Sequence, residues 1–232
     1  MNATKSINTP FGLRRPSLEF RYTFDYCAMH AYQRRAASAL LVSSPLYAYE
    51  MLHRLYNFNA TLIPTADWWA TKDESFLSSL GMDTPPIQSL EGQTDMVKTV
   101  IWAAPQADDV ESILASIHKI LDPDGKLYII AGGTLSRFLE GVLHFDDQAV
   151  GLPVNYRQLI QSLKHHQYHI ETIQGFHGLI SIIWSYAFRL MNALGKPHLA
   201  DRCFYRMRAT YAVDGWQKAL TTLNVIVANK PT

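Results

Sequence analysis

At 232 residues the chain fits one domain with a full core. Apolar residues make up 48% and charged residues 18%, which argues against disorder, and a net charge of +1 implies neither nucleic acid nor an acidic membrane as partner. The two cysteines, Cys27 and Cys203, fall in separate predicted helices without ligand spacing; this argues against a disulfide framework or a zinc site and for buried thiols.

Residues 1–16 read as a polar tail. The first eighteen residues hold Lys5, Arg14 and Arg15 and no acid. A flexible tail on a cytoplasmic protein therefore stands beside a segment targeting an organelle matrix. Residues 17–37, SLEFRYTFDYCAMHAYQRRAA, predict a helix with a stripe of Phe20, Phe24, Cys27 and Tyr32 packed inward. A first strand is expected at 39–43. Ser44 as N-cap and Pro45 at the first helical position then open a helix to about Tyr56. After a turn at 57–59 come a second strand at 60–63, a loop holding Pro64, and a short helix at 72–80 closed by Gly81. Residues 83–86 are a turn and 87–90 a third, weak strand.

The stretch VKTVIWAAPQADDVESILASIHKILDPDGKLYIIA, residues 97–131, organises the rest. An apolar run at 97–104 is followed by helix-start chemistry. Ile113, Leu114, Ile117, Ile120 and Leu121 then recur at helical spacing, Asp122-Pro-Asp-Gly125 stops the helix, and 126–131 is a second apolar run. Strand, helix, turn, strand is a βαβ unit, which requires parallel pairing and a right-handed crossover. Both runs are almost continuously apolar, as central strands covered on both faces should be.

Beyond it, Gly132-Gly133 lacks the Gly-Lys-Ser/Thr of a P-loop. Residues 155–165 predict a helix capped by Asn155, with Leu159, Ile160 and Leu163 buried, and 168–176 a strand. Residues 179–194, LISIIWSYAFRLMNAL, form a strongly apolar helix broken by Arg189 and ended by Gly195. It is too short and interrupted to span a bilayer, and is expected between the core and a partner or lipid-like ligand. Residues 198–213 are a further helix, presenting Arg202, Arg206 and Arg208 either as a solvated face or to an anionic ligand or acidic partner. The last strand is expected at 220–228.

The segment IHKILDPDGKLYII resembles the helix–turn–strand of class I S-adenosylmethionine-dependent methyltransferases, with Asp124 where that turn usually has its first glycine and Gly125 kept. WQKALTTLNVIVANKP, residues 216–231, resembles the family's closing antiparallel strand. The resemblance spans residue 36 to the C-terminus and implies a Rossmann-like methyltransferase fold of the α/β class. Its sheet is doubly wound, mostly parallel and seven-stranded, with the last strand antiparallel. It further implies residues 1–37 as tail and lid helix over the cofactor cleft, 38–232 as the methyltransferase-like domain, and 178–215 as a helical insertion.

It also assigns positions around S-adenosylmethionine. In this family the first strand ends in an acid and a glycine-rich loop, because a β-carbon there would clash with the methionine part of the cofactor. Aligned on that pattern, Leu41 stands at the acid and Ser43, Pro45 and Tyr47 at the three glycines, with Ser44 between. Asp67 is the one acid near the ribose position after the second strand, and otherwise a solvated loop acid. Trp68 and Trp69 either stack on adenine or serve packing and interface. Glu91 falls near the acid that contacts the adenine amino group, or on a surface turn. Ala103, with Ala104 and Pro105, replaces the residues that carry chemistry after the fourth strand, so no residue is assigned a catalytic role. His165, His166 and His169 lack HExxH spacing, and no metal is expected.

Two functions follow. The chain is a pseudoenzyme with a degenerate S-adenosylmethionine site, acting as a binding, assembly or structural subunit through Trp68 and Trp69 or the 179–194 helix, with a protein partner or a second copy. Alternatively it is an active methyltransferase acting on a small apolar substrate. Nucleic acid is not expected as a partner, and a peripheral membrane contact has no sequence support.

Overall fold

The computed structural model describes residues 18–34, 38–43, 49, 52–53, 56–63, 88–103, 109–135, 154–213 and 220–230. The expected tail, the opening of the Ser44–Pro45 helix, the loop holding Asp67, Trp68 and Trp69, and the 72–80 helix lie outside the described residues.

Within them, strands β1 (Ser38–Val42), β2 (Asn59–Ile63), β3 (Val97–Ala103), β4 (Leu121–Gly132), β5 (His169–Gly178), β6 (Ala212–Val213) and β7 (Thr221–Asn229) form one sheet. Their order is β2-β1-β3-β4-β7-β5-β6. β1 pairs in parallel with β2 and β3, and β3 with β4, whereas β7 runs antiparallel to both β4 and β5. The helices are α1 (Leu18–Gln33), α2 (Val110–Ile120), α3 (Tyr156–His165), α4 (Leu179–Ala193) and α5 (Pro197–Ala209).

The organising unit forms as β3-α2-β4. Val110, Ile113, Leu114, Ile117 and Ile120 are the buried side of α2. Leu121, expected in the helix, instead opens β4 opposite Val97, and the next pair is Thr99 with Lys126. Asp122 to Gly125 are thus carried as a bulge against one residue of β3. The Asp122 carboxylate accepts from the Asp124 amide at 2.9 Å, which closes the turn. Gly125 is needed there: a β-carbon would lie 2.8 Å from the Asp122 carbonyl oxygen and 3.0 Å from that of Val97.

Alternation along the central strands divides the core in two. Tyr128 and Ile130 of β4, with Val225 and Val227 of β7, join Phe24, Cys27, Ala28 and Ala31 of α1 on one face. Leu127, Ile129, Ala131 and Trp102 join the buried side of α2 with Leu159 and Leu163 of α3 on the other. Asn155 caps α3 as expected, its side chain accepting from the Arg157 amide at 2.9 Å.

Four expectations are corrected. Among the described residues, 88–90 form no strand: Ser89 takes the Gly92 amide into a turn, and the Gln88 N–H reaches the Leu62 carbonyl of the sheet at 3.0 Å. The short β6 completes the seven strands instead, because the helix expected to reach residue 213 stops at Ala209, leaving Ala212 and Val213 to pair with β5. Tyr32 is 55% exposed, since Ala31, one position back, occupies the inward line of α1. Cys27 is buried but Cys203 only half-buried, on α5; burial drives the Cys27 thiol well above its ordinary range.

Polar contacts tie α1 to the sheet face it covers. Thr23 and the Tyr211 hydroxyl lie 3.1 Å apart, and His30 Nδ1 and the Tyr128 hydroxyl 3.0 Å apart. Arg34 bonds Glu171, which also takes Lys126 Nζ at 2.7 Å. The Lys126 hydrogen bond, then that of Arg34, holds Glu171 below the usual carboxylate range. Burial, then the nearby Arg34 charge, holds His30 below its ordinary 6.5. Both folded values are depressed, so both contributions are full above the unfolded values and lost as pH falls through the folded ones. A melting-temperature series should therefore decline on the acid side in two stages. The first begins below the unfolded His30 value of 6.5 and the second below the unfolded Glu171 value of 4.5. His30→Gln should flatten the first stage, and Glu171→Gln the second.

Candidate functional site

In an open α/β sheet ligands sit beyond the carboxyl ends of the strands, where the strand order reverses. Here the chain lays β2 on one side of β1 and β3-β4 on the other, so the reversal lies between β1 and β3. The strand tips there are Val42-Ser43, Ile63 and Ala103. Val42, Ile63 and Ala103 are buried, at 0%, 2% and 1% exposure. The Ser43 amide donates to the Ile63 carbonyl at 3.0 Å, and Ser43 takes φ 49°, the left-handed region that favours glycine. Two residues back, Leu41 is wholly buried in the apolar core on the α1 side. Among the described residues, the tips of β1, β2 and β3 hold no titratable side chain.

Three strands beyond β3 along the same edge the chemistry changes. β5 runs parallel to β4 through the intervening antiparallel β7, so its end faces the same way. His177 is buried there at φ 54°, with Nδ1 2.9 Å from Thr222 Oγ1. Thr221, Thr222 and Asn224 are fully buried beside it, and the Asn224 amide donates to Thr221 Oγ1 at 3.0 Å. The Asn224 side-chain Oδ1 and the Thr134 hydroxyl have no hydrogen-bond partner among the described residues. Sequence reading missed this polar cluster. Its signal was Thr-Thr-x-Asn opening an otherwise apolar strand, and a His-Gly pair just before a helix.

No family model matches the sequence, and no curated protein matches it. Solved structures do. A methyltransferase dependent on S-adenosylmethionine from Geobacter sulfurreducens, in complex with S-adenosyl-L-homocysteine, superposes with TM-score 0.54 at 11% identity, covering 95% of this chain and 95% of that one. The fold is that of the class I methyltransferases. A geranyl diphosphate C-methyltransferase from Streptomyces coelicolor A3(2) gives TM-score 0.53 at 11% identity, over 97% of this chain and 89% of its own. A cyclopropane synthase from Mycobacterium tuberculosis gives 0.51 at 16%, over 90% and 84%.

In this methyltransferase fold the expected site residues fall out as follows. Ser43 and Ala103 are brought to the reversal point, at the tips of β1 and β3. Glu91 is exposed on the 90–92 turn, which follows the Gln88 amide's bond to the Leu62 carbonyl of β2. Ser44, Tyr47, Asp67 and Trp68 lie outside the described residues, as do Pro45 and Trp69. Among the described residues no group of three His, Cys, Asp or Glu side chains is placed to hold a metal ion. None of the described helices is long and apolar enough to cross a membrane.

Proposed function

We propose that the chain is a methyltransferase-fold protein whose S-adenosylmethionine site has decayed, and that it works as a non-catalytic binding or assembly subunit. The observation that carries this reading is the tip of β1. Leu41, at the position of the family's acid, is fully buried among apolar side chains, and Ser43, at the first glycine, carries a β-carbon through a left-handed bend. A carboxylate cannot be replaced by a buried leucine and still hold a polar ligand group. Nor can the main chain at Ser43 come as close to a sulfonium donor as glycine allows. At the tip of β3 the buried methyl of Ala103 offers no proton acceptor for a methyl-transfer substrate.

One observation favours the second reading, an active methyltransferase on a small apolar substrate. The backbone at Ser43 keeps the left-handed bend that a glycine loop would use. S-adenosylmethionine itself separates the two. A micromolar site at ~1 mM ligand gains about 4 kcal/mol by mass action, a rise of roughly 10 °C for a chain of this size. The decayed-site reading expects no rise in melting temperature with S-adenosylmethionine or S-adenosyl-L-homocysteine; a rise of that size would establish the active reading in its place.

A further inference from the structure

Helix α4 turns two serines inward and a line of large apolar side chains out. Its buried residues are Ser181, Ile182 and Ser185. Ser181 donates to the Met207 carbonyl of α5 at 3.4 Å, and Phe188 packs on Phe204 of α5 with ring centres 5.7 Å apart. The opposite side presents Leu179, Ile183, Tyr186, Leu190 and Leu194, with Ile180 at its margin, each 42–58% exposed. Steps of four, three, four and four residues keep these side chains in one line, the spacing of a seam along which one helix lies on another. The line itself is uncharged: Arg189, the charged residue of α4, flanks it, about 100° round the helix from Leu190 and about 60° from Tyr186.

We propose that this stripe is a two-fold contact between two copies of the chain, α4 against α4. In a two-fold contact each surface meets itself, so any charge on it meets its like; a seam without charge satisfies that condition. The area fits as well. Six large side chains about half exposed present on the order of 600 Å², at the top of the range of patches on an ordinary monomer surface and close to the roughly 800 Å² per partner of a stable interface once the helix flanks are included. A lipid surface fits less well. The cations that would hold an anionic bilayer, Arg202, Arg206 and Arg208, are on α5, which packs against the opposite side of α4.

The inference rests on the assembly reading for its purpose, but its test reads mass rather than cofactor binding. Sedimentation velocity of the full chain over a concentration series should show a monomer–dimer equilibrium. Ile183→Glu combined with Leu190→Glu should return it to monomer with circular dichroism unchanged and a melting temperature equal to that of the wild type diluted to monomer, because both side chains already face solvent in the single chain. As an independent measurement, Tyr186→Cys in a Cys203→Ser background should form a disulfide-linked dimer on mild oxidation, since mid-helix residues meet at a two-fold axis whether the helices run parallel or antiparallel. A chain that stays monomeric throughout, a dimer that survives both glutamates, or a dimer without the Tyr186→Cys cross-link would overturn the contact. So would a monomer that floats with anionic phosphatidylserine vesicles, which would assign the stripe to lipid. A dimer that binds S-adenosylmethionine would remove the non-catalytic reading and leave the contact standing; a monomer that binds none would do the reverse.

Discussion

Gly133→Ala should destabilise the protein by about 3 kcal/mol or more, among the larger effects of a single methyl group. A β-carbon there would lie 2.1 Å from the Thr221 carbonyl oxygen, 2.5 Å from the Thr221 carbonyl carbon and 2.8 Å from that of Thr222. All three are backbone atoms of β7, and none can turn aside as a side chain would. They are also fixed by bonds across the gap: the Gly133 amide donates to the Thr222 carbonyl at 2.7 Å, and the Leu135 amide to that of Thr221 at 2.9 Å. Accommodating alanine would part the ends of β4 and β7 and break both bonds. Gly195→Ala is the control. Gly195 takes φ 66° and a β-carbon there meets nothing within 4 Å, so only the left-handed conformation is penalised, by about 1 kcal/mol. Urea denaturation followed by circular dichroism reads both values. Equal losses would mean that the Gly132-Gly133 pair serves flexibility rather than close approach.

Trp102→Ala should cost about 3–5 kcal/mol. Trp102 is among the largest fully buried side chains described, on the β3 face covered by α2, where Leu114 and Ile117 are equally enclosed. Its neighbours sit on regular strands and a helix, so the space left by an indole cannot close without moving the sheet. Trp102→Phe should cost much less. The indole N–H is buried and has no hydrogen-bond partner, so its removal breaks no bond and relieves an unpaired donor. If phenylalanine proved as damaging as alanine, that N–H would have to be held by a group the packing argument leaves out.

Most of the sheet could be read from the sequence because burial leaves its mark on residue order. Residues 97–131 alternate strand and helix periods, and β3-α2-β4 forms in that order, with β4 beginning at Leu121 rather than at 126. Asn155 capping α3 and left-handed Gly195 closing α4 follow from local chemistry alone. The misses lie where tertiary pairing decides. Ala212 and Val213 look like the last turn of a helix, and only a free edge on β5 draws them into a strand. Leu121 continues the helical spacing of α2, yet its partner is Val97. Tyr32 and Ala31 are adjacent, and an aromatic residue drew the eye where an alanine does the packing. The apolar α4 was expected between the core and a partner; that a line of large side chains turns outward while Ser181, Ile182 and Ser185 face in shows only in the structure.

The site was legible in a different sense. On the alignment that the resemblance implies, Leu41 and Ser43 fall where the family has an acid and a glycine; that the backbone at Ser43 bends left-handed is not visible in the letters, since serine predicts no such φ. The buried cluster of His177, Thr222 and Asn224 was hidden for a related reason. Each residue is unremarked singly, and only the antiparallel pairing of β5 with β7 brings them together.

The central claim is that the tip of β1 cannot hold a sulfonium cofactor, and calorimetric titration of S-adenosyl-L-homocysteine into the wild-type chain tests it most directly. The predicted result is heat indistinguishable from dilution. Saturable binding at one ligand per chain, weakened by substitution at Ser43, would contradict it.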